Sequence, residues 1–169
     1  RNITRFAAKI NEVCQKYLAG CDVAYAVIPD KNYFVPESAG YLRLGYQRLV
    51  EIMNGEVKAR YLDLFGILDI GDYYSTDLHW RQEKITRAAE EVLRFFGNGQ
   101  GGAGFEEVVL GEFEGAYYGQ AALKLPKDKM VYLTNAVLGA CLVKNGVTGE
   151  EVEMYDKNAF FNNIDPYDM

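Results

Sequence analysis

The residue types best suited to chemistry lie together in one short segment, Asp77-Leu78-His79-Trp80. His79 is the only histidine of the chain, and histidine is the side chain that most readily takes up and returns a proton near neutral pH. Asp77 lies at a spacing that lets its carboxylate accept a hydrogen bond from one imidazole N–H. Such a carboxylate orients the ring and stabilises the imidazolium that forms when the other nitrogen is protonated. We therefore predict a catalytic Asp77–His79 dyad, with Trp80 as a wall beside the ring.

A structural role for this histidine stays open as the alternative. Thr76 or Asp77 is a suitable N-cap for a helix that begins near Leu78 or His79. A histidine-rich zinc site is excluded, because the chain has a single histidine. The glycine-rich segment at residues 97–104 follows a predicted helix and lacks the Gly-Lys-Ser/Thr ending of a phosphate loop. We therefore predict neither a metal ion nor a cofactor.

A nucleophile to partner the dyad is harder to find. The chain has two serines, Ser38 and Ser75. Ser75 is too close in sequence to His79 to reach the far side of the imidazole easily. Ser38 lies in a polar loop without the strand-turn-helix elbow that exposes a nucleophilic serine. The sequence thus predicts an orienting acid and a base without their nucleophile.

The segments that would position the dyad alternate between α and β patterns. Apolar residues at every third or fourth position predict helices over residues 3–18, 41–53 and 80–96. Short apolar runs predict strands over residues 22–28 and 57–65, the first as a buried strand of a parallel sheet. Asp30 and Lys31 follow that strand at its C-terminal end, where α/β sheets bind ligands. They are candidate substrate-binding residues, with a cap of the following segment as the alternative.

The pattern changes after the glycine-rich segment. Residues 108–113, 130–134, 136–143 and 152–155 are short and β-like, and Asn145-Gly146 predicts a tight hairpin turn. We therefore predict an α/β fold in two parts. Residues 1–104 are the N-terminal part that carries the dyad, and residues 105–169 are a small antiparallel β subdomain followed by the start of the remaining α/β half. Two strands and three helices make only about half of a doubly wound sheet, so the α/β domain is expected to be incomplete at Met169.

Charge and hydropathy exclude several classes of partner. The net charge is −6, whereas nucleic-acid-binding proteins and proteins that bind anionic membrane surfaces need clustered Lys and Arg. No run of about 18 apolar residues occurs, so no transmembrane helix is predicted.

The segment from Asp72 to Glu83 resembles the signature of the DHHW family of bacterial proteins, written loosely Y-Y-x-T-D-x-H-W-x-x-E. This family is related to SGNH-hydrolase-like proteins, which include the alginate O-acetyltransferases. Residues 23–34 resemble the family's first strand and Pro-Asp-Lys loop, and Phe113-Glu114-Gly115 resembles its Phe-x-Gly segment. Leu78 stands where the family name has a histidine, at a position outside the dyad.

The resemblance implies a flavodoxin-like three-layer α/β/α sandwich of the SGNH type. It implies a serine O-acyltransferase or esterase in which Asp77 orients and His79 is the general base. In the related acetyltransferases Asp and His precede the serine, so the nucleophile is expected beyond Met169 and this stretch alone is expected to be inactive. Tyr73, Tyr74 and Trp80 would line the site.

The same resemblance implies an exported protein at the bacterial cell surface. Its substrate would be a carbohydrate, specifically an acylated polysaccharide, and a membrane-bound partner would transfer the acyl group. Two other functions stay open: a carbohydrate-binding module without catalysis, and a role in assembly at the cell surface. A serine elbow after residue 169 would favour the enzyme over both.

Overall fold

The computed structural model describes residues 2–98, 104–121, 124–152 and 154. The aromatic segment at residues 160–169 and most of the glycine-rich segment therefore lie outside the described residues. The chain forms two compact units, one of Arg1–Ile70 with Arg87–Gly101 and the other of Gly71–Thr86 with Gly102–Met169. This division differs from the boundary that the sequence suggests after residue 104. The Asp-x-His-Trp segment belongs to the second of these units, together with Gly102–Met169.

The first unit contains the parallel part of the fold. Its elements are α1 (Asn2–Tyr17), β1 (Ala24–Ala26), α2 (Lys31–Phe34), α3 (Tyr46–Glu56), β2 (Arg60–Leu62) and most of α4 (Thr86–Phe95). β1 and β2 pair in parallel, with Ala24 opposite Arg60 and Ala26 opposite Leu62. Both predicted strands are therefore present and parallel, but each is three residues long.

The core of this unit forms where α1 meets α3. Ala7, Met53 and Val57 make a buried cluster, against which Ile3 and Ile10 pack. The side chain of Ala7 is small, so α1 makes its contacts along the line of Ile3, Ala7 and Ile10. Phe6 and Tyr17 lie off this line and stay 62% and 67% exposed, although both contribute to the apolar spacing that predicts this helix.

Two helices begin later than their apolar spacing predicted. The first, α3, begins at Tyr46 instead of residue 41, after Gly40 in a left-handed conformation (φ 74°) and Gly45 at the N-cap. The second, α4, begins at Thr86 instead of residue 80. Trp80 pairs with Tyr73 in an antiparallel bridge, and a short 3-10 helix over Gln82–Lys84 follows. The backbone at Trp80 is thus paired with that of Tyr73 and is not available to start a helix.

The second unit is antiparallel, as the sequence predicted for this half. It contains β3 (Glu106–Phe113), α5 (Ala116–Ala121), β4 (Asp128–Thr134), α6 (Ala136–Gly139), β5 (Val143–Lys144) and β6 (Glu151–Val152). β3 pairs with β4 through a bulge between Val109 and Gly111, and β5 pairs with β6. Within the described residues, the chain is thus a mixed α/β protein with short two-stranded sheets.

Two local predictions in this unit need correction. Residues 136–143 were expected to be β, but Asn135 accepts the N–H of Leu138 at 2.9 Å and starts the helical turn α6. The hairpin at Asn145 is present but is longer than a two-residue turn. Its loop runs from Asn145 to Glu150 and includes Gly149 at φ 76°.

None of the helices in the described part of the chain is both long and apolar enough to cross a lipid bilayer.

Candidate functional site

Asp77 and His79 form a hydrogen-bonded pair in the second unit. Asp77 Oδ1 lies 2.6 Å from His79 Nδ1 and also accepts the backbone N–H of His79 at 2.9 Å. These two bonds close a local turn around Leu78. The predicted contact between the carboxylate and the imidazole is therefore present. The predicted helix start at Leu78 or His79 is wrong, because this carboxylate closes a turn and the next α-helix begins at Thr86.

The two members of the pair differ in exposure. The side chain of Asp77 is 3% exposed and that of His79 is 54% exposed. Burial raises the pKa of Asp77, but hydrogen bonds from the N–H groups of His79 and Ala116 and from the imidazole outweigh it and lower the pKa below the usual 3.8. Asp77 is therefore ionised near neutral pH. An ionised carboxylate only accepts hydrogen bonds, so Nδ1 carries a proton, and in the neutral imidazole the lone pair lies on Nε2.

Asp128, the first residue of β4, holds the backbone immediately before the dyad. Its Oδ2 accepts the Thr76 N–H at 2.6 Å and the Thr76 hydroxyl at 2.7 Å, and its Oδ1 accepts the Ser75 N–H at 3.0 Å. Thr76 is fully buried. Since one charged group satisfies three donors, the segment that leads into Asp77 is tied firmly to the β3–β4 sheet.

The turn from β3 into α5 holds the opposite side of this segment. Gly115 donates its N–H to Thr76 Oγ1 at 3.0 Å, and Ala116 donates its N–H to Asp77 Oδ2 at 3.1 Å. A Cβ added at Gly115 would lie 2.6 Å from the Asp77 Cβ and nearer still to the carbonyl oxygen of Thr76. Only glycine permits this close approach of two backbones.

Replacing Asp128 by asparagine is expected to lower the free energy of unfolding near neutral pH by about 1–3 kcal/mol, because a neutral amide replaces a charged acceptor of three hydrogen bonds. Burial raises the pKa of Asp128, but the hydrogen bonds from Thr76 and Ser75 outweigh it and lower the pKa below 3.8. The unfolded chain then binds more protons than the folded chain, so stability rises with pH. The contribution of Asp128 is complete above the ordinary carboxyl pKa and is lost as the pH falls through the lowered value.

Denaturant unfolding measured from about pH 6 to about pH 2 would check this prediction. Near pH 6, Asp128→Asn should have a lower free energy of unfolding than the wild type. As the pH falls, its free energy of unfolding should decrease less steeply. The decrease that remains includes the contribution of Asp77. Glu112→Gln, at an exposed position of the neighbouring strand β3, is the control and should leave both features unchanged. Parallel acid declines for the wild type and Asp128→Asn would contradict the prediction.

A cavity of about 320 Å³ lies beside the dyad and is lined by Tyr74, Asp77, His79, Phe113 and Met130. The rings of Tyr74 and Phe113 meet edge to face, with their centroids 4.9 Å apart and an interplanar angle of 89°. Burial, assisted by the charge of Glu83, raises the pKa of Tyr74 to about 12. The phenol therefore stays neutral, and the imidazole adjoins a space with mainly apolar walls.

The predicted substrate-binding residues lie in three different places. Tyr74 lines the cavity, and its N–H donates to the carbonyl of His79 at 3.1 Å. Tyr73 and Trp80 pair through their backbones and are not among the lining residues. Asp30 and Lys31 belong to the first unit, where Asp30 caps α2 by accepting the Asn32 N–H at 2.8 Å. Of the members of this group in the second unit, only Tyr74 lines the cavity beside the dyad.

Open aromatic faces for sugar stacking are not found at the two tyrosines of the motif. Tyr73 is 5% exposed and Tyr74 is 7% exposed. Because both side chains are buried, neither ring can present a full face to solvent. The Glu83 side chain of the same motif is also buried, where it accepts the Arg81 Nε–H at 2.7 Å. These residues pack the segment that carries the dyad.

The hydroxyl nearest in sequence to the dyad is already engaged. Thr76 Oγ1 donates to Asp128 and accepts from Gly115, and it has no exposed surface. Ser38 belongs to the first unit, whereas the dyad belongs to the second. Among the described residues, no group of three His, Cys, Asp or Glu side chains is arranged to hold a metal ion.

Four residues of the site were not assigned a role from the sequence: Asp128, Gly115, Phe113 and Met130. Gly115 and Phe113 did carry a signal, since both belong to the Phe-x-Gly segment of the family resemblance. Asp128 lies between two lysines and Met130 lies in a strand. Nothing in those local patterns connects either residue with His79.

The fold is similar to that of a known protein. The crystal structure of a DHHW family protein from Eubacterium siraeum matches with a TM-score of 0.63 and 17% sequence identity, over 78% of this chain and 47% of that one. At this identity the likeness is one of fold, and this chain spans about half the length of that protein. No model of a protein family matches the chain, and no curated protein matches it.

Proposed function

We propose that the protein is an SGNH-like serine O-acyltransferase or esterase, with Asp77 and His79 as its orienting acid and general base. One observation carries this proposal: a buried, ionised carboxylate lies 2.6 Å from Nδ1 of an imidazole that is 54% exposed. In the described part of the chain, no side chain hydrogen-bonds Nε2 of that ring. The ring is therefore oriented from one side and open to a reacting group on the other.

The reaction follows from this arrangement. Nε2 of His79 removes the proton of a serine hydroxyl while the serine oxygen attacks the acyl carbon of an ester. The buried charge of Asp77 stabilises the imidazolium formed in that step. His79 then returns the proton to the departing alcohol, which leaves an acyl-serine. Water or a sugar hydroxyl attacks this intermediate and gives its proton to His79. His79 passes that proton to the departing serine oxygen, which regenerates the serine.

The nucleophilic serine is proposed to come from outside residues 1–169. The engagement of the Thr76 hydroxyl supports this, and so does the match to only 47% of the DHHW family protein. We further propose that the complete fold is a three-layer α/β/α sandwich, to which the parallel β1–β2 pair would belong. Export to the cell surface, an acylated polysaccharide as substrate and a membrane-bound partner in acyl transfer are proposed from the resemblance of the motif to the DHHW family.

A serine-directed covalent probe tests this function on the full-length protein. An alkyl fluorophosphonate should abolish turnover of a chromogenic acetyl ester and should attach to one serine outside residues 1–169, located by peptide mass spectrometry. Ser38→Ala and Ser75→Ala are the matched controls and should leave both labelling and turnover intact. If the protein neither turns over the ester nor reacts with the probe, the enzymatic proposal fails and the carbohydrate-binding function becomes the one to test.

A further inference from the structure

We propose that the cavity beside the dyad binds the acyl group of the ester and accepts acyl chains longer than acetyl. The inference rests on the proposed function and adds to it the chemical class of the group that is transferred. It is carried by the walls of the cavity and by its volume.

The walls favour a hydrocarbon chain. Tyr74, Phe113 and Met130 supply aromatic and thioether surfaces, and the dyad supplies the polar groups. Burial raises the pKa of the Tyr74 phenol to about 12, so this wall carries no charge at neutral pH. A buried apolar chain is stabilised in proportion to the area it removes from water, and the flexible Met130 side chain can adapt to chains of different shape.

The same walls disfavour a sugar ring. Tyr74 and Phe113 meet edge to face, so the face of one ring is covered by the edge of the other. Both oxygens of Asp77 already accept hydrogen bonds, from His79 and from Ala116. Sugar hydroxyls that entered this space would therefore find few partners, and an unpaired buried hydroxyl is unfavourable. The sugar part of the substrate is expected to lie outside the cavity.

The volume exceeds what an acetyl group needs. At roughly 30 Å³ for each water-sized group, an acetyl group would occupy about 90 Å³ and a six-carbon acyl group about 210 Å³. The cavity measures about 320 Å³. Acetyl would leave most of it unfilled, whereas a chain of four to six carbons would fill more of it and bury more apolar surface.

A series of p-nitrophenyl esters that differ only in acyl length tests the inference on the full-length protein. Each methylene group that is buried should raise kcat/KM by roughly fourfold. We expect hexanoate to exceed acetate by at least about tenfold, after allowance for incomplete burial. The leaving group is the same throughout, so the ratio reports on the acyl site.

Met130→Trp should fill the cavity and reduce the hexanoate-to-acetate ratio to near one. Val109→Trp is the matched control, since Val109 is 60% exposed on the neighbouring strand and does not line the cavity. It should leave the ratio unchanged. Circular dichroism of both variants would show whether they fold like the wild type.

Failure of this inference can be told apart from failure of the proposed function. Turnover of acetate with no preference for hexanoate would overturn the acyl-chain site and leave the esterase intact. If no ester is turned over, calorimetric titration with hexanoate and acetate tests the cavity alone. Tighter binding of hexanoate that Met130→Trp abolishes would support the site, and equal binding would overturn it.

Discussion

Replacing His79 by alanine is expected to lower the rate of acetyl ester turnover by the full-length protein about 10²-fold or more, because the proton acceptor in the step that forms the acyl-serine is lost. His79 is the only histidine of the chain, so no second imidazole within these residues can replace it. Because its side chain is 54% exposed, we expect the variant to keep its fold. The loss should appear in kcat more than in KM.

Replacing Asp77 by asparagine should reduce kcat by a similar factor for a different reason. An asparagine amide can donate to Nδ1, which would move the imidazole proton to Nε2 and remove the base from the side that faces the reacting group. The neutral amide also fails to stabilise the imidazolium. The two variants should therefore not be additive, since each disables the same unit.

Leu78→Ala is the control for both variants. Leu78 lies between the two residues, is 49% exposed and contributes neither to the dyad nor to the lining of the cavity. Its turnover should stay within about threefold of the wild type. Steady-state kinetics with one chromogenic ester would give all the values. A His79→Ala enzyme with nearly wild-type kcat, or an equal loss in Leu78→Ala, would remove the dyad from the mechanism.

Replacing Gly115 by alanine is expected to destabilise the second unit by about 3 kcal/mol or more. The new Cβ would meet the carbonyl oxygen of Thr76 and the Cβ of Asp77, which would be 2.6 Å away. Both belong to a buried segment tied to Asp128, so neither can move without breaking hydrogen bonds. Overpacking against a fixed backbone costs about 1–3 kcal/mol, and the loss of buried hydrogen bonds adds to that cost.

Gly119→Ala is a matched control, because it adds the same methyl group within the nearby helix α5. In the described part of the chain, no atom outside its chain neighbours and its own helix backbone lies within 4 Å of the position of its Cβ. Alanine in a helix is favoured over glycine by up to about 1 kcal/mol, so this variant should be as stable as the wild type or more so. Urea unfolding of the three proteins would check the pair. Equal stability of Gly115→Ala and the wild type would mean that the two backbones are farther apart than the structure shows.

The sequence predicted the elements whose pattern is long and local. The amphipathic spacing in α1 placed that helix within a residue at each end, and the short β-like run at residues 130–134 placed most of β4. Helix starts were less predictable. The spacing in residues 80–96 is helical throughout, yet Trp80 pairs with Tyr73 and Arg81 donates its N–H to Asp72, so the helix begins only at Thr86. At residues 80 and 81, backbone pairing with Tyr73 and Asp72 overrides the local helix propensity.

The sequence by itself determined the contact between Asp77 and His79, because a spacing of two residues lets one carboxylate accept both the imidazole and the backbone N–H of the same residue. The tertiary structure alone decided what surrounds that contact. The partners that hold and line it, Asp128, Gly115, Phe113 and Met130, reach it from 34 residues or more along the chain by sequence number. Their side chains and N–H groups come together only when β3 and β4 pair, and no local pattern records that pairing. A local turn can be predicted from adjacent residues. The burial of Asp77 and the cavity beside the dyad require the folded chain.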